Sequence, residues 1–210
     1  MRQNDITRNA MKPAAAAGTL RLGDLTVNRM AFGAMRVTGP DVWGEPKDRA
    51  AARKLLVRAF ELGHTFFDTA DSYGPNVSEI IIAEALHPYP KELVIGTKGG
   101  LVRPSRHRWD EDGRPEHLRR ALDGSLKRLR LERIDLYQFH APDPKVPFAD
   151  SVGTLAEMQR AASRPSSRCR TSTTSRTAPM ILSSPRARKR ASLSSPGFRL
   201  ARAARCARRR

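Results

Sequence analysis

The stretch His64-Thr-Phe-Phe-Asp-Thr-Ala-Asp-Ser-Tyr-Gly74 decides the fold. Its two phenylalanines predict a short buried strand, and that strand ends in a polar turn containing Asp68 and Tyr73. Two later apolar segments end in the same way, the first at Lys98 and the second at His140. In parallel α/β folds the carboxyl ends of neighbouring strands meet at one edge of the sheet, where the chemistry takes place. The sequence therefore predicts a site that brings a carboxylate, a phenol, an amine and an imidazole together.

Strands and helices alternate along the first 160 residues. Two short apolar runs at 19–22 and 25–27 flank Gly23-Asp24 and predict an N-terminal hairpin. A first strand follows at 30–32. Near-continuous apolar runs at 66–67, 93–95 and 134–139 are typical of parallel strands buried on both faces. Helical spacing of apolar residues predicts four helices, over 49–62, 78–86, 115–129 and 148–158.

This order, a hairpin followed by four βα units, predicts an α/β fold with a parallel sheet and helices outside it. Alternation alone leaves open whether the sheet closes into a barrel. In the first helix, Leu55 is predicted to lie on the buried face and Gly63 to end the helix. Ser78 is predicted to cap the second helix. No G-x-G-x-x-G segment opens the first unit, which argues against a Rossmann dinucleotide site.

The net charge of +18 is unevenly distributed over the 210 residues. Residues 161–210 hold 14 Lys and Arg and no Asp or Glu, which leaves residues 1–160 with 25 basic and 21 acidic side chains. Both cysteines, Cys169 and Cys206, also lie beyond residue 160, so no disulfide framework supports the domain. No apolar run approaches the roughly 20 residues of a membrane span, and a signal-peptide core is lacking. We therefore predict a cytoplasmic location.

The chain changes character after residue 160. Residues 161–210 are rich in Arg, Ala, Ser and Pro and show neither a helical stripe nor a strand. One explanation is a genuine disordered basic tail. The explanation that we favour is a shifted reading frame, since a shift of one base permits Gly-Lys-x-x-Ile-Val-Ala-Val-Ser-Asn-Val where a fifth strand is due. We accordingly divide the chain into a flexible start (1–18), a domain (19–160) and a tail (161–210).

The four polar residues are suited to proton transfer to a carbonyl oxygen. A free tyrosine has a pKa near ~10 and is a weak acid at neutral pH. An ammonium at ~4 Å favours the phenolate by about 1 kcal/mol in water but by about 4 kcal/mol at a shielded site. A shielded Lys98 is therefore expected to lower the pKa of Tyr73 and make it a general acid. Asp68 would hold Lys98, and His140 would orient the oxygen.

The segments "FFDTADSYG", "VIGTKGG" and "IDLYQFHAPDP" resemble the strand-end motifs of the aldo-keto reductases over residues 20–160. The resemblance implies a (β/α)8 TIM barrel with an N-terminal hairpin, of which about four units are present here. It also implies reduction of an aldehyde or ketone to an alcohol by NADPH, with NADH possible. By resemblance, Tyr73 is the proton donor, Lys98 modifies its pKa, Asp68 pairs with Lys98, and His140 orients the carbonyl.

The resemblance also suggests binding residues. Gly33, Ala34 and Met35 match the segment that approaches the nicotinamide, and Asp68 lies near its ribose. Trp43 resembles a wall of the substrate pocket, in which Tyr73 and His140 also lie. In the family a Ser-Asn pair holds the carboxamide of the cofactor, and here such a pair occurs only in the frame-shifted reading of the tail. The later loops that hold the adenosine phosphate in the family have no counterpart in this sequence.

Other functions follow from other features of the chain. The tail arginines could bind polyanions electrostatically, which makes a non-catalytic fragment the alternative function. They lack interleaved aromatic residues, so specific nucleic-acid recognition is not expected. No His/Asp/Glu cluster has the spacing of metal ligands. An incomplete barrel leaves strand edges uncovered, which predicts little or no activity and possible self-association through those edges.

Overall fold

A five-stranded parallel sheet forms the centre of the fold. The computed structural model describes residues 12–162 and 181–182. Its elements are β1 (Thr19–Leu22), β2 (Leu25–Asn28), β3 (Phe32–Gly33), α1 (Arg49–Glu61), β4 (Phe66–Asp68), α2 (Val77–Leu86), β5 (Val94–Gly99), β6 (Leu101–Ser105), β7 (Arg108–Glu111), α3 (Pro115–Leu129), β8 (Leu136–Phe139), α4 (Phe148–Ala162) and β9 (Ile181–Leu182). The sheet order is β3–β4–β5–β8–β9, and every neighbouring pair is parallel. The predicted N-terminal hairpin is formed by β1 and β2.

The core lies between the sheet and the helices that cover it. Every residue of β5 is buried, as expected for a strand that has a neighbour on each side and side chains packed on both faces. Helices α1 and α2 pack on this sheet and on each other. The fully buried side chains of this cluster are Ala34, Leu56, Phe67, Ile81, Ile82 and Leu129.

Helix α1 has the predicted ends but a narrower buried face. The Asp48 carboxylate accepts a hydrogen bond from the Ala51 N–H at 2.8 Å and so caps the first turn. Gly63 follows the helix with a φ of 98°, a conformation that favours glycine. The prediction that Leu55 is buried is wrong, since it is 50% exposed. Leu56, which was predicted on the same face, is fully buried, because one residue of helix rotates the side chain by about 100°.

Helix α2 begins without the predicted serine cap. The helix starts at Val77, and Asn76 precedes it with a φ of 69°. Ser78 lies inside the first turn, where its hydroxyl donates to the Ala34 carbonyl at 3.0 Å and bonds the Thr69 hydroxyl at 2.8 Å. The capping prediction is therefore wrong, because this buried hydroxyl joins α2 to two other segments of the fold and does not accept a hydrogen bond from the first turn of the helix.

The structure contains strands that sequence patterning did not predict. Strands β6 and β7 form an antiparallel hairpin directly after β5. Strand β9 pairs with β8, so the expectation of no strand beyond residue 160 is wrong at its two residues. Residues 12–18, predicted to be flexible, include a 3-10 turn, and the Ala14 N–H bonds the Leu62 carbonyl at 3.0 Å. The rest of the predicted flexible start and tail, and the reframed strand, lie outside the described residues.

Candidate active site

Strand register brings the predicted site residues to one edge of the sheet. Gly33 of β3 lies opposite Asp68 of β4, and β5 continues past β4 to Lys98. His140 follows the last residue of β8, and its backbone N–H donates to the Gly99 carbonyl at 2.9 Å. The four chemical groups therefore come from the carboxyl ends of three adjacent parallel strands and from the turn after β4.

Lys98 is the centre of the site. Its side chain is almost fully buried, and Nζ donates to Asp68 Oδ2 at 2.7 Å and to the Thr69 carbonyl at 2.7 Å. The third contact of Nζ is the Tyr73 hydroxyl at 3.5 Å. Burial lowers the pKa of Lys98, and the Asp68 carboxylate opposes that shift. The ammonium is thus held by two short hydrogen bonds and points toward the phenol.

Tyr73 is 7% exposed and lies in the turn after β4. Burial first, and the Asp68 carboxylate second, raise its pKa to about 12. The predicted lowering of this pKa by Lys98 is wrong, because burial of the phenol, and then the charge of the Asp68 carboxylate, disfavour the phenolate. Tyr73 therefore keeps its proton across neutral pH, which is the form that a proton donor needs.

His140 lies on the other side of the phenol. Its ring is 5.8 Å from the Tyr73 ring, centroid to centroid, in an edge-on arrangement of 83°. Burial, and then the Lys98 ammonium, lower the pKa of His140 to about 4, so the imidazole is neutral at pH 7. Nδ1 lies 3.3 Å from the buried Ser72 hydroxyl, a partner that sequence reasoning missed. A neutral imidazole held by one nitrogen can offer the other to a substrate oxygen.

Acid is expected to weaken the folded state of the wild type relative to the His140→Asn variant. The folded chain resists protonation of His140 until about pH 4, whereas the unfolded chain accepts the proton near pH 6.5. The stability gained from neutral His140 is therefore lost as pH falls through this window, by on the order of 1–3 kcal/mol. Urea midpoints of both chains at about pH 7 and about pH 4 measure the change.

The comparison between variants is needed because another group titrates in the opposite direction. Burial, and then the Glu79 carboxylate, raise the pKa of Asp71 to about 7. Protonation of Asp71 therefore favours the folded state as pH falls. The difference between wild type and His140→Asn removes this shared contribution. A difference that stays constant with pH would show that His140 does not titrate as described.

The residues predicted to approach the cofactor lie next to Asp68. Gly33 is exposed, and a Cβ built on it would meet no atom within 4 Å, so the backbone there is open to a ligand. Ala34 is fully buried, and Met35 is partly exposed in the 3-10 turn that follows β3. An open backbone beside a carboxylate suits the nicotinamide and ribose end of a dinucleotide. Gly33 and Met35 are therefore accessible to a ligand, whereas the side chain of Ala34 is not.

Trp43 reaches the site through its backbone. It forms a bridge with Gly74, the residue after Tyr73, and its ring faces the guanidinium of Arg103. The side chains that sequence reasoning missed here are Arg103 and Trp109 of the β6–β7 hairpin. The one available signal was that Trp109 is the second of only two tryptophans in the chain. Among residues 12–162 and 181–182, no group of three His, Cys, Asp or Glu could hold a metal ion.

The fold and this site define a class of protein, namely α/β proteins of the parallel barrel type. Their site, formed here by Tyr73, Lys98, Asp68 and His140, lies at the carboxyl ends of the strands. The model of the Aldo/keto reductase family matches residues 29–161, and the chain belongs to that family. The predicted fold class, a (β/α)8 TIM-barrel type with about four of its units, is confirmed by the solved structures that resemble it. No helix in the described part of the chain is long and apolar enough to cross a membrane.

Several similar proteins are named as oxidoreductases or dehydrogenases. An uncharacterized oxidoreductase of Schizosaccharomyces pombe is 52% identical over 147 residues, covering 70% of this chain and 48% of the relative. Pyridoxine 4-dehydrogenase of Escherichia coli is 38% identical over 152 residues, covering 69% and 53%. The structure of a glycerol dehydrogenase from Gluconobacter oxydans matches with a TM-score of 0.62 at 31% identity, covering 70% and 46%. The chain thus spans about half the length of the relatives it matches.

Proposed function

We propose that the chain has the active site of a nicotinamide-dependent carbonyl reductase, which converts an aldehyde or ketone to an alcohol. The observation that supports this most directly is the protonated Tyr73 hydroxyl 3.5 Å from Lys98 Nζ, with Asp68 Oδ2 2.7 Å from the same ammonium. An ammonium beside a phenol suits proton delivery to an oxygen that gains negative charge. Membership of the family and the oxidoreductase names of its relatives agree with this chemistry.

The proposed step uses each residue at a defined atom. NADPH, with NADH as the second choice, would supply the hydride chemistry at the carbonyl carbon when bound. The Tyr73 hydroxyl gives its proton to the oxygen, and Lys98 Nζ stabilises the phenolate that remains. The neutral His140 donates a hydrogen bond that orients the oxygen. Gly33, Ala34 and Met35 would line the nicotinamide end, and Asp68 would lie by the ribose.

The identity of the substrate and the level of activity are further parts of the proposal. We propose a small carbonyl compound, with pyridoxal worth testing first because one relative is a pyridoxine 4-dehydrogenase. Among the described strands, β3 pairs with β4 alone, so its other edge is open to solvent or to another chain. We therefore expect slow turnover and self-association. We also propose a cytoplasmic location.

A sensitive assay tests the reaction. The purified chain is incubated with an aldehyde and with NADPH that carries deuterium at C4, and the alcohol is analysed by mass spectrometry. We expect deuterium in the alcohol at a slow rate, because isotopic product accumulates over few turnovers. Tests with pyridoxal and with 4-nitrobenzaldehyde compare substrates. No deuterated alcohol above a protein-free control would refute the proposal.

A second candidate function rests on charge. The 14 basic residues of 161–210, with no acidic residue among them, would bind polyanions without sequence preference. Binding of heparin or single-stranded DNA that falls steeply with salt, and that disappears when residues 163–210 are deleted, would support this role. Binding that survives the deletion would refute it.

A further inference from the structure

Both tryptophans of the chain lie against one arginine. Arg103 of β6 is 7% exposed, and its guanidinium carbon is 3.7 Å from the centre of the Trp109 ring and 5.3 Å from that of Trp43. Trp109 lies on β7, whereas Trp43 lies in the loop before α1. A guanidinium between two indoles fixes both rings, because each ring face attracts the cation. Arg103 thus joins the hairpin to that loop.

The hydrogen bonds of Arg103 fix the loop as well. Its guanidinium donates to the carbonyls of Val42 at 2.7 Å, Asp41 at 3.3 Å and Arg108 at 3.2 Å, and also to the carbonyl of Arg106. Asp41 and Val42 have φ values of 58° and 57°, a conformation that a β-branched residue strongly disfavours. Because four hydrogen bonds to carbonyls already engage its guanidinium, Arg103 serves as a clamp on this backbone rather than as an anion site.

The clamped elements border the proton donor. Val42 packs with Ala70 and Tyr73 in one buried cluster, and the partly buried Trp109 packs against the same cluster. Trp43 is tied to the turn that holds Tyr73 by its bridge to Gly74. The flat, apolar and partly exposed Trp109 indole therefore lies against the cluster that contains Tyr73.

We infer that Arg103 is a positioning residue that holds Trp43 and Trp109 as the wall of the carbonyl site. We further infer that Trp109 selects carbonyl compounds with an aromatic substituent. The inference rests on the proposed function, since it concerns the substrate of the same site. Its basis is the geometry of the hairpin. Aromatic substituents stack or pack edge-on against a fixed indole more favourably than short aliphatic chains do.

The clamp can be tested without turnover, because tryptophan fluorescence reports on this cluster alone. Trp43→Phe leaves Trp109 as the sole emitter, and Trp109→Phe leaves Trp43. In each background Arg103→Met is expected to raise quenching by acrylamide about twofold or more, and Arg103→Lys should do so as well, since it lacks the planar fork. Far-UV circular dichroism verifies folding. Arg106→Met is the matched control, because Arg106 is exposed and pairs with Asp41 at the surface.

Substrate selection is tested with 4-nitrobenzaldehyde as the probe. In the Trp43→Phe chain we expect 4-nitrobenzaldehyde to quench the fluorescence of Trp109 in a saturable way. The concentration that gives half of the maximal quenching should rise about tenfold with Arg103→Met and stay unchanged with Arg106→Met. In the deuterium assay, Trp109→Ala is expected to lower kcat/KM for 4-nitrobenzaldehyde about tenfold relative to butanal. Equal quenching by acrylamide in the Arg103 and Arg106 variants would overturn the clamp.

The remaining outcomes separate the two proposals. Deuterated alcohol without saturable quenching, or with an unchanged preference in Trp109→Ala, would overturn the inference and leave the proposed reductase function standing. Absence of both deuterated alcohol and saturable quenching would overturn both. Saturable quenching without product would support the binding wall while counting against the reaction.

Discussion

Replacing Tyr73 with phenylalanine is expected to lower the rate of carbonyl reduction by about 10²- to 10⁴-fold. The change removes the hydroxyl 3.5 Å from Lys98 Nζ but keeps the ring that packs against Val42 and Ala70. The carbonyl oxygen then has to take its proton from water, which has no fixed position. Deuterium transfer to 4-nitrobenzaldehyde is the measurement, because it detects slow turnover in both chains.

Tyr89→Phe is the matched control for this prediction. Tyr89 is another partly buried tyrosine, whose hydroxyl donates to the Leu129 carbonyl at 2.7 Å. Burial raises its pKa as it raises that of Tyr73, and the cation that opposes this shift is the Arg130 guanidinium. Loss of this hydrogen bond should reduce stability by about 1 kcal/mol and leave the rate within about twofold. Equal losses of rate in the two variants would mean that the Tyr73 hydroxyl has no special role.

The raised pKa of Tyr73 is compatible with its role as donor. In the resting site the phenol is neutral, so the ammonium of Lys98 gains little from it. As the proton leaves, a negative charge develops next to Nζ, and at ~4 Å the attraction reaches about 4 kcal/mol at a partly shielded site. Stabilisation that appears only as charge develops lowers the barrier without changing the ground state. The pKa reflects this same difference between phenol and phenolate, so the attraction of Lys98 also opposes the rise in the pKa of Tyr73 that burial causes.

The strand ends could be predicted from the sequence because two simple patterns coincide there. Buried parallel strands have near-continuous apolar runs, and a polar residue after such a run marks the point where the strand leaves the core. Asp68, Lys98 and His140 each follow this rule, and the register of β4, β5 and β8 then brings them together. Local pattern and topology were sufficient for this part of the site.

Features that depend on tertiary contacts could not be predicted in the same way. The β6–β7 hairpin has no run of alternating apolar residues, and its Arg103 contacts one ring of the hairpin and a second ring that lies 60 positions earlier in the sequence. Ser78 has the sequence context of a cap but donates to a carbonyl 44 positions away. The direction in which the pKa of Tyr73 shifts depends on burial and on the charge of Asp68, the carboxylate that pairs with Lys98. None of these distances is encoded in a local pattern.

Replacing Glu79 with alanine is expected to destabilise the fold by about 3–5 kcal/mol. Glu79 lies on α2 and is fully buried, with Oε1 accepting from the Thr97 hydroxyl at 2.6 Å and Oε2 from Arg128 Nε at 2.6 Å. Removal of the carboxylate leaves the largely buried Arg128 without its counter-ion and leaves the Thr97 hydroxyl without an acceptor. Urea unfolding followed by circular dichroism measures the loss as a shift in midpoint at an unchanged slope.

Glu84→Ala on the same helix shows whether burial, rather than charge, causes this effect. Glu84 also pairs with an arginine, since Arg49 donates to it at 2.8 and 3.0 Å, but both side chains remain partly open to water. Water can solvate the remaining guanidinium in that variant, so the expected loss is only about 0–1 kcal/mol. Equal midpoints for the two variants would show that Glu79 is not the buried link between α2, β5 and α3. A large difference between the two midpoints would show that the packing of α2 on β5 and α3 depends on an ion pair shielded from water, because the same pair of residue types contributes little where water reaches it.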